Sequence, residues 1–212
     1  MKIRKFFRTS MIPLVLVAIL VAPSFGATVL HRNVVDLIEL SDVIVVGNVS
    51  QVTDGFDQNG VPYTEITMNV NESIRGSQPG TYTFRQFGLL QPRDMGNGTI
   101  NLNTTLDGWP TYKQDQEVIL FLYQAASITG FRTTVGLLQG KFDADGELLA
   151  NAINNRGLFQ NMNVDPQLLS AAEQKLLTSA EGPMNRETFV NFVRKVVEQG
   201  WIEAGKVSNA KN

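Results

Sequence analysis

A β-branched run joined through Asn59-Gly60 to a strictly alternating run commits the first half of this chain to antiparallel sheet. Asp42 to Val52 carries Val43, Ile44, Val45, Val46, Val49 and Val52, side chains that fit a pleated surface. Gly47 in its middle predicts a bulge or sharp bend. Asp54 to Gly60 is turn-rich, and Asn-Gly is a hairpin signal because both residues tolerate positive φ. Tyr63 to Arg75 then sets Ile66, Met68 and Val70 on one face and Glu65, Thr67, Asn69 and Asn71 on the other, which is a half-buried strand.

The β pattern continues beyond this pair. Thr81 to Phe87 alternates after the Gly76 to Gly80 turn, and Glu117 to Tyr123 is a short apolar strand. Phe131 to Gln139 and Gly140 to Phe142 extend the pattern, and a turn at Asp143 to Gly146 leads into Leu148-Leu149. Gly88 to Asp115 interrupts the series with Pro92, Gly96, Gly98, Gly108 and Pro110 and shows little periodicity. Loops of that length inside a compact domain are uncommon and often functional. Five strands, a hairpin between the first two and a long excursion before the fourth give the order expected of an OB-type barrel.

Helical spacing marks three places. Asn33 to Leu40 reads as a short amphipathic helix. Asp165-Pro166 reads as an N-cap and first helical residue, followed by a stripe of Leu168, Leu169, Ala172, Leu176 and Leu177 that Gly182-Pro183 breaks. Asn185 to Gln199 forms a second C-terminal helix with Phe189, Phe192, Val193, Val196 and Val197 on one face. The expected organisation is a mainly β, OB-like barrel over residues 33–150, a helical pair over 165–200 packed on its outside, and a loose polar tail over 204–212.

Residues 1–26 read as a signal peptide. Lys2, Arg4, Lys5 and Arg8 make a basic start, Met11 to Ala22 an apolar core, and Ser24 and Gly26 the small residues before a cut at Ala27. The apolar core is well short of the ~20 residues that span a bilayer. The expectation is export to the periplasm or beyond, with no membrane insertion after cleavage. Loss of those four basic residues moves the formal charge from −2 to −6. That opposes nucleic-acid binding, which depends on Lys and Arg displacing phosphate counterions.

The strand segments SDVIVVGNVSQV, YTEITMNVNESIRG and YKQDQEVILFL resemble the strand pattern of netrin-like and tissue-inhibitor-of-metalloproteinase modules. They are similar also to a group of uncharacterised exported bacterial proteins, some of which accompany matrixin-type metalloproteases. The segment Val135 to Phe142 and the helix at Phe189 to Val193 belong to that likeness. The resemblance implies an OB-type barrel and an extracytoplasmic protein partner, with a metalloprotease first among the candidates. The inhibitors' zinc-chelating N-terminal Cys has no counterpart, because the chain contains no cysteine.

Catalytic chemistry finds little purchase in the residues. The chain has one histidine, His31, and no cysteine, so His-pair, thiolate and zinc–thiolate chemistries are excluded. Asp143-Ala-Asp145-Gly-Glu147 places glycine too early for an EF-hand loop, and Asp57-Gln58-Asn59-Gly60 has Ile66 where the bidentate Glu belongs, so both read as turns. Ser50 and Ser127 lack an elbow motif and a base. No carboxylate spacing singles out a glycosidase-type pair, though a hydrolase of that kind remains an alternative.

The expectation is therefore a non-catalytic binding module without cofactor or metal, its surface on Gly88 to Asp115. Trp109 and Tyr112 are the expected anchors there, and Arg93 the charged contact or else a local partner of Asp94. Tyr82 and Phe84 join them as a stacking platform or, on the alternative reading, belong to the core. A glycan partner or a surface structural role are the alternatives to a protein partner.

Overall fold

The computed structural model describes residues 30–210, and the fold belongs to the unit that begins at His31. The expected signal peptide, residues 1–26, lies outside the described residues. The first elements follow the sequence signals closely. Helix α1 (Val34–Leu40) is capped by Asn33, whose side chain accepts from the Asp36 N–H. Strand β1 (Val43–Phe56) turns through the Asn59-Gly60 hairpin into β2 (Pro62–Arg75), and β3 (Gly80–Phe87) follows. Asp57 Oδ1 holds the hairpin by accepting from Asn59 N–H and Val61 N–H, both at 2.8 Å.

The expected bulge falls at Gly47, where the β1–β2 register shifts between Val46 and Gly47. A Cβ at this position would run into the Asn69 carbonyl oxygen, so the crossing backbones require glycine. The bend lets β1 serve two neighbours. Its first half, Val43 to Asn48, pairs with β6 (Glu117–Leu122), while the whole strand pairs with β2.

Beyond β6 the chain forms β7 (Lys141–Asp145) and β8 (Leu148–Asn151), and a later two-residue strand, β10 (Met184–Asn185), joins β8. The sheet is antiparallel and seven-stranded, in the order β10-β8-β7-β6-β1-β2-β3. It is buried on both sides at its centre, which explains the unbroken apolar runs of β1 and β6. Val43, Val45, Ile66, Met68, Phe84, Val118, Leu120 and Leu122 fill the inner face. Ile44, Ile119, Phe121 and Phe142 fill the outer face against α1 and the C-terminal helix.

The protein is thus mainly β with three α-helices among the described residues, and no described sheet closes into a barrel. Residues 131–136 do not form the expected strand. Residues 131–134 run beside β6, with a single bridge from Thr134 to Leu122, before a turn at Val135 and Gly136 and a 3-10 turn at Leu137–Gln139. Their far side meets β3 where Arg132 N–H donates to the Arg85 carbonyl at 2.7 Å. The inner core therefore lies within an incomplete ring of β1, β2, β3, residues 131–135 and β6.

The C-terminal part differs from expectation in two ways. Asp165 caps only a 3-10 turn, Pro166–Leu168, and the helix proper is α2 (Ala171–Leu177). Its start is fixed by a capping box, in which Ser170 accepts from Glu173 N–H and Glu173 accepts from Ser170 N–H. Helix α3 (Arg186–Glu198) is capped by Asn185 and buries Phe189, Phe192, Val193 and Val196 on the outer face. The tail is not loose over its described part. Val207–Asn209 forms β11 against β9 (Met162–Val164), with Val207 buried.

Candidate functional site

The excursion from Gly88 to Asp115 is built outward from β3 and is more ordered than its composition implies. Gly88 has φ +104, and a Cβ there would lie 2.6 Å from the Thr105 nitrogen, so the returning chain packs directly on this residue. Leu89 is fully buried; its N–H donates to the Asn103 carbonyl and its carbonyl accepts from Thr105 N–H, both at 2.9 Å. Between these clamps lies a short hairpin, β4 (Arg93–Asp94) and β5 (Ile100–Asn101). Three side chains fold its turns locally: Asp94 accepts from Gly96 N–H, Asn97 from Thr99 N–H and Asn101 from Asn103 N–H.

Asp54 of β1 anchors the hairpin to the sheet. It pairs with the Arg93 guanidinium and accepts from Leu90 N–H at 2.8 Å. Arg93 thus finds its partner 39 residues away, rather than in the neighbouring Asp94, and its guanidinium also lies 5.6 Å from the Phe56 ring centre. With the arginine 40% exposed, the pair contributes under ~1 kcal/mol and acts chiefly on geometry.

Apolar side chains concentrate on this excursion. Of the nine large hydrophobic residues exposed among the described residues, Leu90, Met95, Ile100, Leu102 and Leu106 lie on it. Ile100 and Leu102 are 64% and 71% exposed. Side chains alternate across a strand, so Ile100 lies on one face of the hairpin and Arg93, cross-strand to Asn101, on the other, while Leu102 follows directly after β5. The arrangement presents an aliphatic ridge held from behind by the Asp54–Arg93 pair.

The aromatic residues singled out from sequence sit elsewhere. Phe84 and Tyr112 are buried in the inner core, their rings edge-to-face at 5.7 Å, and Tyr82 stacks on Phe84 at 6.0 Å from its half-buried position. Burial pushes the Tyr112 hydroxyl well above its usual range, with the nearby Asp143 carboxylate adding to it. Tyr82 is pushed up by burial too, with Arg132 opposing. These three are packing residues, as the alternative reading held for Tyr82 and Phe84. Trp109 is half-buried at the base of the excursion, its N–H donating to the Leu106 carbonyl. The adjoining Pro110 carbonyl accepts from the buried Gln86 side chain at 2.9 Å. Tyr112 and the Gln86–Pro110 bond therefore fix the excursion to the core, while the exposed aliphatic residues, which sequence reading missed, form its outer surface.

Two polar side chains weighed from the sequence are engaged structurally. Ser50 donates to the Thr67 carbonyl, and His31 Nε2 lies 2.9 Å from the Arg156 carbonyl. No group of three His, Cys, Asp or Glu is placed to hold a metal ion among the described residues. A cavity of about 200 Å³ between α2 and α3 is lined by Glu173, Arg194 and Lys195. Lys195 is committed to Glu173, and Arg194 pairs with Glu72 in bidentate fashion at 2.6 and 2.8 Å. The first pair joins α3 to α2 and the second joins α3 to β2, which leaves neither cation for a ligand.

The chain matches no protein-family model, no curated protein sequence and no solved structure.

Proposed function

We propose that this chain is an exported, non-catalytic binding module that engages an extracytoplasmic protein through the aliphatic ridge of the 88–106 excursion. The concentration of exposed Leu, Ile and Met on this one appendage carries the reading. Exposed apolar groups gathered on one element mark interaction surfaces, whereas scattered ones do not. The ridge is also pre-organised by its clamps, which lowers the ordering cost of association.

The export half of the proposal rests on the basic, apolar and small-residue succession in residues 1–26. Kinship to OB-type, netrin-like modules is part of the same proposal. It is supported by the strand segments quoted above and by the incomplete ring in which residues 131–135 stand between β3 and β6. That kinship puts a metalloprotease first among the partners, with contact through aliphatic side chains in place of a terminal cysteine.

A photo-crosslinking amino acid at Ile100, compared with one at Leu148, which is exposed on β8 outside the excursion, tests the reading. Incubated with the extracytoplasmic fraction of the source cells, position 100 is expected to give one discrete protein adduct and position 148 none. Equal labelling from both positions would contradict it.

A further inference from the structure

Asn-Gly occurs twice in the chain, at Asn59-Gly60 in the β1–β2 turn and at Asn97-Gly98 in the β4–β5 turn. The pair carries an intrinsic reactivity. Glycine has no Cβ to shield its amide nitrogen, so that nitrogen can attack the preceding side-chain amide and close a succinimide ring. Both asparagines are exposed, so accessibility does not separate them. Their hydrogen bonds do.

At the β1–β2 turn the attacking nitrogen is occupied. Gly60 N–H donates to the Asp57 carbonyl at 3.0 Å, and Asn59 N–H donates to the Asp57 carboxylate at 2.8 Å. Attack requires the Gly60 nitrogen to lose its proton. That would break the turn's bond and set a negative nitrogen beside the Asp57 carboxylate. The flanking strands, fourteen residues each, oppose any reshaping of this turn.

Asn97 differs on each count. Gly98 N–H makes no hydrogen bond among the described residues, and a Cβ at Gly98 would meet no atom within 4 Å. Asn97 Oδ1 accepts from the Thr99 N–H at 3.0 Å and from the Thr99 hydroxyl at 2.6 Å. Attack on Cγ moves negative charge onto that oxygen, where two donors already stand as in an oxyanion hole. The leaving nitrogen, Nδ2, is held by no hydrogen bond among the described residues. The turn is closed by strands of only two residues each.

We propose that Asn97 is a site of self-modification by deamidation, and that Asn59 is spared. The Gly98 nitrogen gives up its proton and bonds to Asn97 Cγ. The Cγ–Nδ2 bond breaks, and Nδ2 departs as ammonia with that proton. Water then opens the succinimide at either carbonyl and leaves aspartate or isoaspartate at position 97. One water is consumed, one ammonia is released, and nothing is oxidised or reduced. Each conversion sets a carboxylate at the tip of the excursion, between Met95 and Ile100 in the chain. The consequence, which rests on the reading of the aliphatic ridge, is an interaction surface that weakens as the protein ages.

Peptide mapping of the purified protein, aged in mildly alkaline buffer, tests this, with the mass gain of deamidation placed by fragmentation. Position 97 should convert at least about tenfold faster than position 59. In denaturant, where both turns are lost, the two rates should come within about threefold of each other. Thr99→Val, an exposed change that keeps the backbone donor and removes the hydroxyl, should slow position 97 by about threefold or more. Comparable rates at the two sites of the folded protein would overturn the proposal. So would a ratio that survives denaturation, or a Thr99→Val protein that ages at the wild-type rate. The consequence is read separately, by the crosslink from position 100, which Asn97→Asp should weaken several-fold. An undiminished crosslink would overturn that consequence. If position 100 gives no adduct with either side chain at 97, the ridge reading fails, and the mapping still decides the modification.

Discussion

Arg132 donates its backbone N–H to the carbonyl of Arg85 at 2.7 Å, joining the outer edge of β3 to the segment that runs beside β6. In an antiparallel strand the N–H and C=O of one residue point the same way and alternate along the chain. Because the Arg85 carbonyl faces outward, the amides of Thr81 and Thr83 face outward too. The close Thr67–Thr83 hydroxyl contact at 3.0 Å marks a non-hydrogen-bonded pair, in agreement. Hydrogen exchange should therefore find Arg132, Tyr82 and Phe84 protected and Thr81 and Thr83 open. Protection of Thr83 equal to that of Phe84 would mean that the ring is complete.

Glu173 combines a capping box with an ion pair. Its side chain is 2% exposed; it accepts from Lys195 Nζ at 2.8 and 2.9 Å and from the Ser170 amide and hydroxyl. Burial works against its charge, but Lys195 and Ser170 outweigh it and hold the carboxyl below the ordinary 4.5. The folded value is the lower one, so the stabilisation is full above the unfolded pKa and is lost as pH falls through the folded value. Glu173→Gln should cost about 1–3 kcal/mol at neutral pH, and urea titrations should show that gap shrinking below about pH 4.5. A gap independent of pH would assign the effect to packing alone.

Lys141 presents the opposite balance. Its side chain is 7% exposed and paired with Asp143, and burial lowers its pKa from 10.5 despite that partner. A depressed lysine opposes folding while charged, and the penalty is relieved as pH rises from the folded value toward 10.5. Replacement of such a pair by an apolar residue is often neutral or stabilising. Asp143 would keep its bond from Gln116 at 2.7 Å. Lys141→Met is expected to raise stability by about 0–2 kcal/mol at pH 7, with the advantage falling toward pH 10. A loss of 2 kcal/mol or more in thermal unfolding would show that the ammonium is net stabilising.

The central sheet was legible in the sequence wherever one physical signal dominated. Alternation at Ile66, Met68 and Val70 placed β2, Asn59-Gly60 placed the hairpin, and Gly47 placed the bulge. Signals failed where several were weak or where a stronger local one competed. Asp165-Pro166 reads as a helix start but begins only a 3-10 turn, and the α-helix starts at the Ser170–Glu173 capping box, which the sequence reading missed. The β4–β5 hairpin is held by Asp94, Asn97 and Asn101 bonding to nearby amides, which leaves no hydrophobic period to detect. Residues 131–135 hold β-formers (Phe131, Thr133, Thr134, Val135) like a strand but pair irregularly, so the barrel expected from strand order stays open. Phe84 and Tyr112 were conspicuous as aromatic residues, yet their burial follows from closure around the inner core.

The most direct test of the proposed role is partner binding by the double variant Ile100→Asp, Leu102→Asp, with the partner captured by the crosslink at position 100. Both side chains are mostly exposed, so the melting temperature should match that of the wild type, surface changes usually lying within about 0.5 kcal/mol. Burial of two aliphatic side chains contributes about 1.5–3 kcal/mol each, and charge at their centre adds a desolvation cost. Titration calorimetry should therefore show at least a hundredfold loss of affinity in a fully folded protein. Wild-type affinity in that variant would contradict the assignment of the excursion as the binding surface.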